Sequence, residues 1–264
     1  VGSGPGGSAV AYKLSQGGLR VLVVERGVAL QTDAEVSSGP IGRHLHELVL
    51  PGESPSRFVG GQSKFYGAAL YRMHASDFQE TMHETGPSPA WPFGYDVIEP
   101  YYAEAEQLYK VHGSVSQAQG TPWRSSPFPF PPIPHDPKVA RWLAKVEAAG
   151  TPVDTIPKGL DYGPNGRCVL CATCDSYHCR LDAKMDAETA TLRPAVATGR
   201  VDVVLETECL QVLTNAAGTA ATGVQLRHGS EQRRVEAGRV VVSAGLQGSI
   251  ELLWKSRTAE HPAG

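Results

Sequence analysis

Apolar and polar positions divide the chain into strand-like and helix-like stretches. Residues 20–25, Arg20-Val21-Leu22-Val23-Val24-Glu25, hold four consecutive apolar residues between charges. That is the pattern of a strand buried on both faces of a parallel sheet. Residues 238–245 repeat it with Val240-Val241-Val242 and end in small residues. Residues 201–205, 210–213 and 222–226 read as further strands, with a turn at 215–218. Helical spacing marks 8–16, where Ala9, Val10, Tyr12 and Leu14 can cover a sheet and Gly17-Gly18 stop the helix. Residues 249–253 read as another helix. Within 91–113, Ile98, Tyr101, Tyr102, Ala105, Leu108 and Tyr109 form one apolar face, with Asp96 as the cap and Glu99 as its capping-box partner. A helix from Asp136-Pro137 to Ala149 has Val139, Leu143 and Val146 on its buried side. Residues 127–137 are proline-dense and predict extended or irregular chain.

Strand–turn–helix units at both ends, with strands between, place the chain in the α/β class, α+β overall. Its 264 residues suffice for one large or two modest domains. Gly (29) and Pro (20) are abundant enough to predict many turns and long connections. The net charge of -3 comes without a Lys/Arg-rich segment, which excludes a phosphate-neutralising nucleic-acid face. The longest apolar runs are far too short to span a bilayer. The chain begins with Val rather than Met, so a missing leader sequence carries no weight, and localisation is left open.

The first candidate chemistry lies at the start. Gly2-Ser3-Gly4-Pro5-Gly6-Gly7 fits G-x-G-x-x-G. Gly2 permits the tight turn, Gly4 lets the backbone approach a pyrophosphate, and Gly7 lets the helix pack closely on the sheet. The amides at the helix start then face the phosphates. Glu25 ends the following strand, about 20 residues past the glycines, where a carboxylate binds ribose hydroxyls. Only Val1 precedes the turn, where this motif calls for a strand, and a polar tail follows the last helix. The expectation is therefore a Rossmann-like dinucleotide-binding domain truncated at both ends. The motif does not separate FAD from NAD(P).

A second segment, Val59-Gly60-Gly61-Gln62-Ser63-Lys64-Phe65-Tyr66-Gly67-Ala68, is dense in small residues that admit a flat ligand. A third, Ser243-Ala244-Gly245, closes the strand-like run at 238–245. With Trp91-Pro92-Phe93-Gly94-Tyr95, Glu99-Pro100-Tyr101-Tyr102 and Cys179-Arg180-Leu181-Asp182-Ala183-Lys184, these segments resemble the glucose–methanol–choline (GMC) oxidoreductase family, in order and spacing, from one end of the chain to the other.

The resemblance implies FAD. It places Gly2, Ser3, Gly4, Pro5, Gly6 and Gly7 on the pyrophosphate, and Glu25 on the adenosine ribose. It places Gly60, Gly61, Ser63, Tyr66, Gly67 and Ala68 beside the flavin, and Cys209, Ala244 and Gly245 by the adenosine half. It further implies two parts of an FAD domain, 1–90 and 186–264, around a partial substrate-side insertion, 91–185. In such enzymes an alcohol or sugar-type substrate loses hydride to the flavin, and a histidine far downstream acts as base. This chain ends before that position, so no catalytic residue is named and the fragment itself is expected to be inactive. The electron acceptor is not implied.

Cys168, Cys171, Cys174 and Cys179 follow C-x2-C-x2-C-x4-C. Packed thiols, a zinc or iron–sulfur site and a disulfide all remain open on that spacing. His178 is the spare ligand inside the cluster, and no metal residue is assigned. His44 and His46 share a face only in an extended chain. Two other function classes stay open: a nicotinamide-dependent dehydrogenase, and an iron–sulfur electron-transfer module.

Overall fold

Val21–Val24 and Val201–Val204 pair in parallel, Val21 opposite Val201 and Val24 opposite Val204. A computed structural model describes residues 1–30, 58–115, 122–171 and 173–262. His44 and His46 lie outside the described residues. Successive side chains of a strand point to opposite faces, and the two faces of this pair bury different cores. Val23 and Val201 pack with Ala11, Val59, Leu192 and Ala195, joining the opening helix, Pro5–Gln16, to the segment 190–195. Val24 packs instead with Val224 and Leu226, alongside Val1, Val204, Cys209 and Val235. Of those partners, Val224, Leu226, Cys209 and Val235 belong to a three-stranded antiparallel sheet of Thr207–Thr214, Ala221–His228 and Glu231–Glu236. Its first turn, at 215–218, closes with Gly218 N donating to Asn215 O.

The expected strand at 238–245 is not formed as a regular strand. The described hydrogen bonds that link this run to the ladder pass through residue 1: Ser243 N donates to Val1 O (2.8 Å) and Val1 N donates to Val241 O (2.7 Å). Gly2 N continues the pattern to Val24 O (2.8 Å). The run is partly exposed, Val241 at 38%. The helix Gly245–Lys255 follows it, longer than the expected 249–253.

These elements form one of two units, made of Val1–Tyr66, Thr173–Asp182 and Asp186–Gly264. The second unit comprises Gly67–Ala172 and Ala183–Met185. Its organising element is the helix Tyr95–Leu108. Here two expectations are corrected. Gly94 is the N-cap, and Asp96 lies in the first turn without capping it. Glu99 is not a capping-box partner; it turns inward, 1% exposed, to Arg72. The buried face of this helix is therefore Tyr95, Glu99 and Glu106, while Tyr101 is 62% exposed. Arg72 donates to Glu99 and, through two nitrogens, to Glu106, and Arg124 also pairs with Glu106. The proline-dense run is irregular as expected. It touches the rest of its unit at Phe130, which bridges to His112, and at Pro131, whose carbonyl lies 2.8 Å from the His112 ring. The helix Pro137–Ala148 has its Asp136 cap on Lys138 N. None of its residues is buried, so Val139, at 45% exposed, is not the core position its spacing suggested.

Candidate functional site

The glycine-rich turn is built as the sequence requires. Gly2 has a positive φ of 94°, and a Cβ there would lie 2.3 Å from Ser243 O. A Cβ on Gly7 would lie 2.0 Å from Gly2 O, so only glycine lets the helix start sit on the turn. A Cβ on Gly4 would meet nothing within 4 Å. Gly4 therefore borders open space, and its role is not set by packing against protein. Ser8 N donates the first intrahelical bond, to Gly4 O. Pro5 has no N–H, which leaves the amides of Gly6 and Gly7 as donors at the positive end of the helix.

Glu25 stands beside this turn, 8% exposed. Its Oε2 accepts from Ser3 N (3.1 Å) and Ser3 Oγ (2.6 Å), and its Oε1 accepts from Gly27 N (2.7 Å). A carboxylate offers about four acceptor positions, so one remains for an outside hydroxyl. Ser3 Oγ also accepts from Gly60 N (3.1 Å), which ties the opening turn to the second glycine segment.

A cavity of about 660 Å³ opens over this arrangement. It is within the size range of small-molecule sites. Of the expected residues it is lined by Gly2, Ser3, Gly4, Pro5, Gly6, Glu25, Gly61, Cys209, Ala244 and Gly245. Gly7 is outside this lining, packed against Gly2 and Ser243. Burial pushes the Cys209 thiol up from its ordinary value, so it stays uncharged at neutral pH. Two lining features escaped sequence reasoning. Arg26 follows Glu25 directly, and Thr207 N donates to Glu25 O (3.0 Å), bringing Thr207 and Glu208 to the wall. Glu251 and Lys255 also line it, one turn apart on the last helix and 2.5 Å from each other. The Lys255 hydrogen bond holds the Glu251 carboxyl below the usual range. An adjacent acid and base at i, i+4 was visible in the sequence, but nothing there located it at a cavity.

Gly60, Ser63 and Tyr66 lie outside that lining, on the same segment. Gly60 has φ 83° and Gly61 φ 56°. Ser63 Oγ donates to Gly60 O (2.6 Å) and accepts from Ala187 N (3.0 Å). Lys64, 3% exposed, lies 3.0 Å from Asp186 Oδ2 and 2.6 Å from Glu188 Oε2. Gly67 and Ala68 open the second unit, where Ala68 is fully buried with φ 62°. Among the described residues no group of three or more His, Cys, Asp and Glu side chains is arranged to hold a metal ion. No helix among them is long and apolar enough to cross a membrane.

The arrangement fits a dinucleotide such as FAD. The Gly2–Gly7 cradle has space open at Gly4 and amides at the helix start for a pyrophosphate, and Glu25 keeps one acceptor position. Comparison with known proteins agrees. The chain aligns along its whole length with 6'''-hydroxyparomomycin C oxidase of Streptomyces lividus, 27% identical, over 50% of that protein. It aligns likewise with 2-methyl-1,2-propanediol dehydrogenase of Mycolicibacterium austroafricanum, 26% identical, over 51% of that protein. The chain thus spans about half the length of the curated relatives it matches. An FAD-dependent oxidoreductase from Chaetomium thermophilum superposes over 97% of this chain and 46% of its own, with a TM-score of 0.60 at 16% identity. Pyridoxine 4-oxidase from Mesorbium loti superposes over 92% of this chain and 48% of its own, with a TM-score of 0.54 at 17% identity. The fold is the α/β fold of FAD-dependent oxidoreductases. The family model for GMC oxidoreductases matches residues 54–264, and the chain belongs to that family.

Proposed function

We propose that the intact protein is an FAD-dependent oxidoreductase that removes hydride from a CH–OH group of an alcohol or sugar-type substrate. One observation carries the reading: a single cavity brings the glycine turn, the helix-start amides and Glu25 together. In this reading the Gly6 amide at the helix start binds the pyrophosphate, and Gly4 lets it approach. Glu25 accepts from a ribose hydroxyl, while Ser3 and Gly27 fix its carboxylate in one orientation. Cys209, Ala244 and Gly245 flank the adenosine. The segment of Gly60 and Gly61 serves the flavin side. The bound flavin supplies the hydride acceptor, and the protein binds and orients it. The second unit belongs to the substrate-side insertion. No residue of this chain is assigned as the base. The names of the aligned relatives, a hydroxyparomomycin oxidase and a propanediol dehydrogenase, support a hydroxylated substrate.

The test is spectroscopic. The intact protein is expected to carry flavin absorbance that bleaches without oxygen when an alcohol or sugar substrate is added. A colourless protein that binds NAD in preference to FAD would overturn the reading.

A further inference from the structure

The second glycine segment is held from several sides, and Ser63 and Lys64 take part in holding it. On one side Gly60 N donates to Ser3 Oγ. On the other, Ser63 and Lys64 reach the residues 186–188. Ser63 Oγ spends its one hydrogen on Gly60 O and accepts from Ala187 N. Lys64 Nζ lies between Asp186 and Glu188, and all three side chains are largely or wholly withdrawn from water, at 4%, 3% and 13% exposed. Neither carboxylate is a passive counter-ion. Asp186 Oδ1 accepts from Thr189 N, which anchors the start of the following helix. Glu188 Oε1 is held by Arg193, which also grips Asp182. A Cβ on Gly60 would sit 3.3 Å from Lys64 Cε and 3.4 Å from Glu188 N. The left-handed turn at Gly60 is therefore packed directly against this ion cluster.

We infer that Ser63 and Lys64 are positioning residues that fix the Gly60–Gly61 turn for the flavin side of the cofactor, acting through Ala187, Asp186 and Glu188 and not by touching the cofactor. The inference rests on the FAD reading above, and it gives Ser63 a different task from the direct flavin contact that its sequence position suggests. A buried charge that loses its partner costs far more than an exposed one. The cluster thus admits one arrangement of the turn. A lysine with a flexible stem and a point charge can sit between two carboxylates, where a planar guanidinium would need a different geometry.

The experiment uses the intact protein and three variants: Lys64→Met, Lys64→Arg and Ser63→Ala. FAD affinity and the visible circular dichroism of the bound flavin are measured for each, with the thermal midpoint alongside. Lys64→Met and Ser63→Ala are expected to weaken FAD binding by roughly tenfold or more, equivalent to 1.4 kcal/mol. Both should alter the dichroism of whatever flavin remains bound, and Lys64→Arg should restore part of each signal. Should Lys64→Met fail to fold, Ser63→Ala decides the matter, because it leaves every ion pair in place. Variants that bind FAD with unchanged affinity and dichroism, and differ only in thermal midpoint, would overturn the inference while leaving the FAD reading intact. A wild-type protein that takes no FAD would overturn both.

Discussion

At the scale of single residues, the opening glycines separate by what a side chain would meet. Gly7 is required by packing, since a Cβ there would collide with Gly2 O at 2.0 Å. Gly4 is required by nothing inside the protein. Gly7→Ala should therefore cost about 1–3 kcal/mol of stability, as overpacking does, and lower the unfolding midpoint whether or not cofactor is present. Gly4→Ala should leave the stability of the cofactor-free protein within about 0.5 kcal/mol and weaken FAD binding. Denaturant titrations with and without FAD read the two effects separately. Equal losses of apo stability in both variants would contradict this division. The glycines and Glu25 were legible in the sequence because each answers a constraint of local backbone geometry at fixed spacing. The role of Ser3 was not, because its hydroxyl joins Glu25 to Gly60, 57 positions away from Ser3, and no local pattern encodes that meeting.

At the scale of elements, the helix Tyr95–Leu108 shows where periodicity misleads. An apolar count selects the tyrosines and leucines, yet the side facing inward carries Glu99 and Glu106. They are tolerated there because Arg72 and Arg124 neutralise them and Ser125 donates to Glu99 through both its N–H and its hydroxyl. Those partners lie 18 to 34 positions distant and could not be paired by inspection. Burial alone would raise the Glu99 carboxyl; the hydrogen bonds from Ser125 and Arg72 outweigh it and hold the group below its ordinary value. A carboxyl depressed in the folded state stabilises above its unfolded pKa, and the benefit is lost as pH falls through the folded pKa. The thermal midpoint should thus fall on acidification below about pH 4, the ordinary glutamate range. Glu99→Gln should flatten that acid limb while lowering the midpoint at neutral pH. A midpoint profile with the same acid slope in both proteins would count against the assignment. Arg72→Met, which leaves buried Glu99 without a cation while Glu106 keeps Arg124, should cost about 3–5 kcal/mol.

At the scale of the molecule, the strands of the parallel pair, the covering helix and the first two strands of the antiparallel sheet were legible, since each follows from apolar spacing bounded by turns; the third strand, Glu231–Glu236, is charged and mostly exposed and offers no such pattern. The run at 238–245 has the apolar pattern of a strand, but a regular strand also needs a ladder of partners, and the hydrogen bonds described for it run to Val1. The helix Pro137–Ala148 shows the same gap between pattern and packing: its spacing is amphipathic, yet no residue is buried. The cavity proposed for the cofactor is lined by residues of the first unit alone. Free FAD at 100 times its dissociation constant should stabilise that unit by about 2.7 kcal/mol. In hydrogen exchange, the amides of Val21–Val24 and Val201–Val204 should slow on adding FAD, and those of Tyr95–Leu108 should change less. Equal protection of both sets would refute a site confined to the first unit.

The two-faced parallel pair has one further consequence. Val23 and Val24 are sorted into separate cores, and Glu25 is the next residue along. Its orientation toward the turn is thus inherited from the sorting of its neighbours, because the side chains alternate. An insertion within Val21–Val24 that shifts its register by one residue would exchange the two cores and swing the carboxylate to the opposite side of the sheet. Conservative apolar exchanges within the run leave the carboxylate where it is. Variation by substitution and variation by insertion are therefore unequal in this stretch. The first can tune stability while sparing the ligand site, but the second cannot alter one without the other.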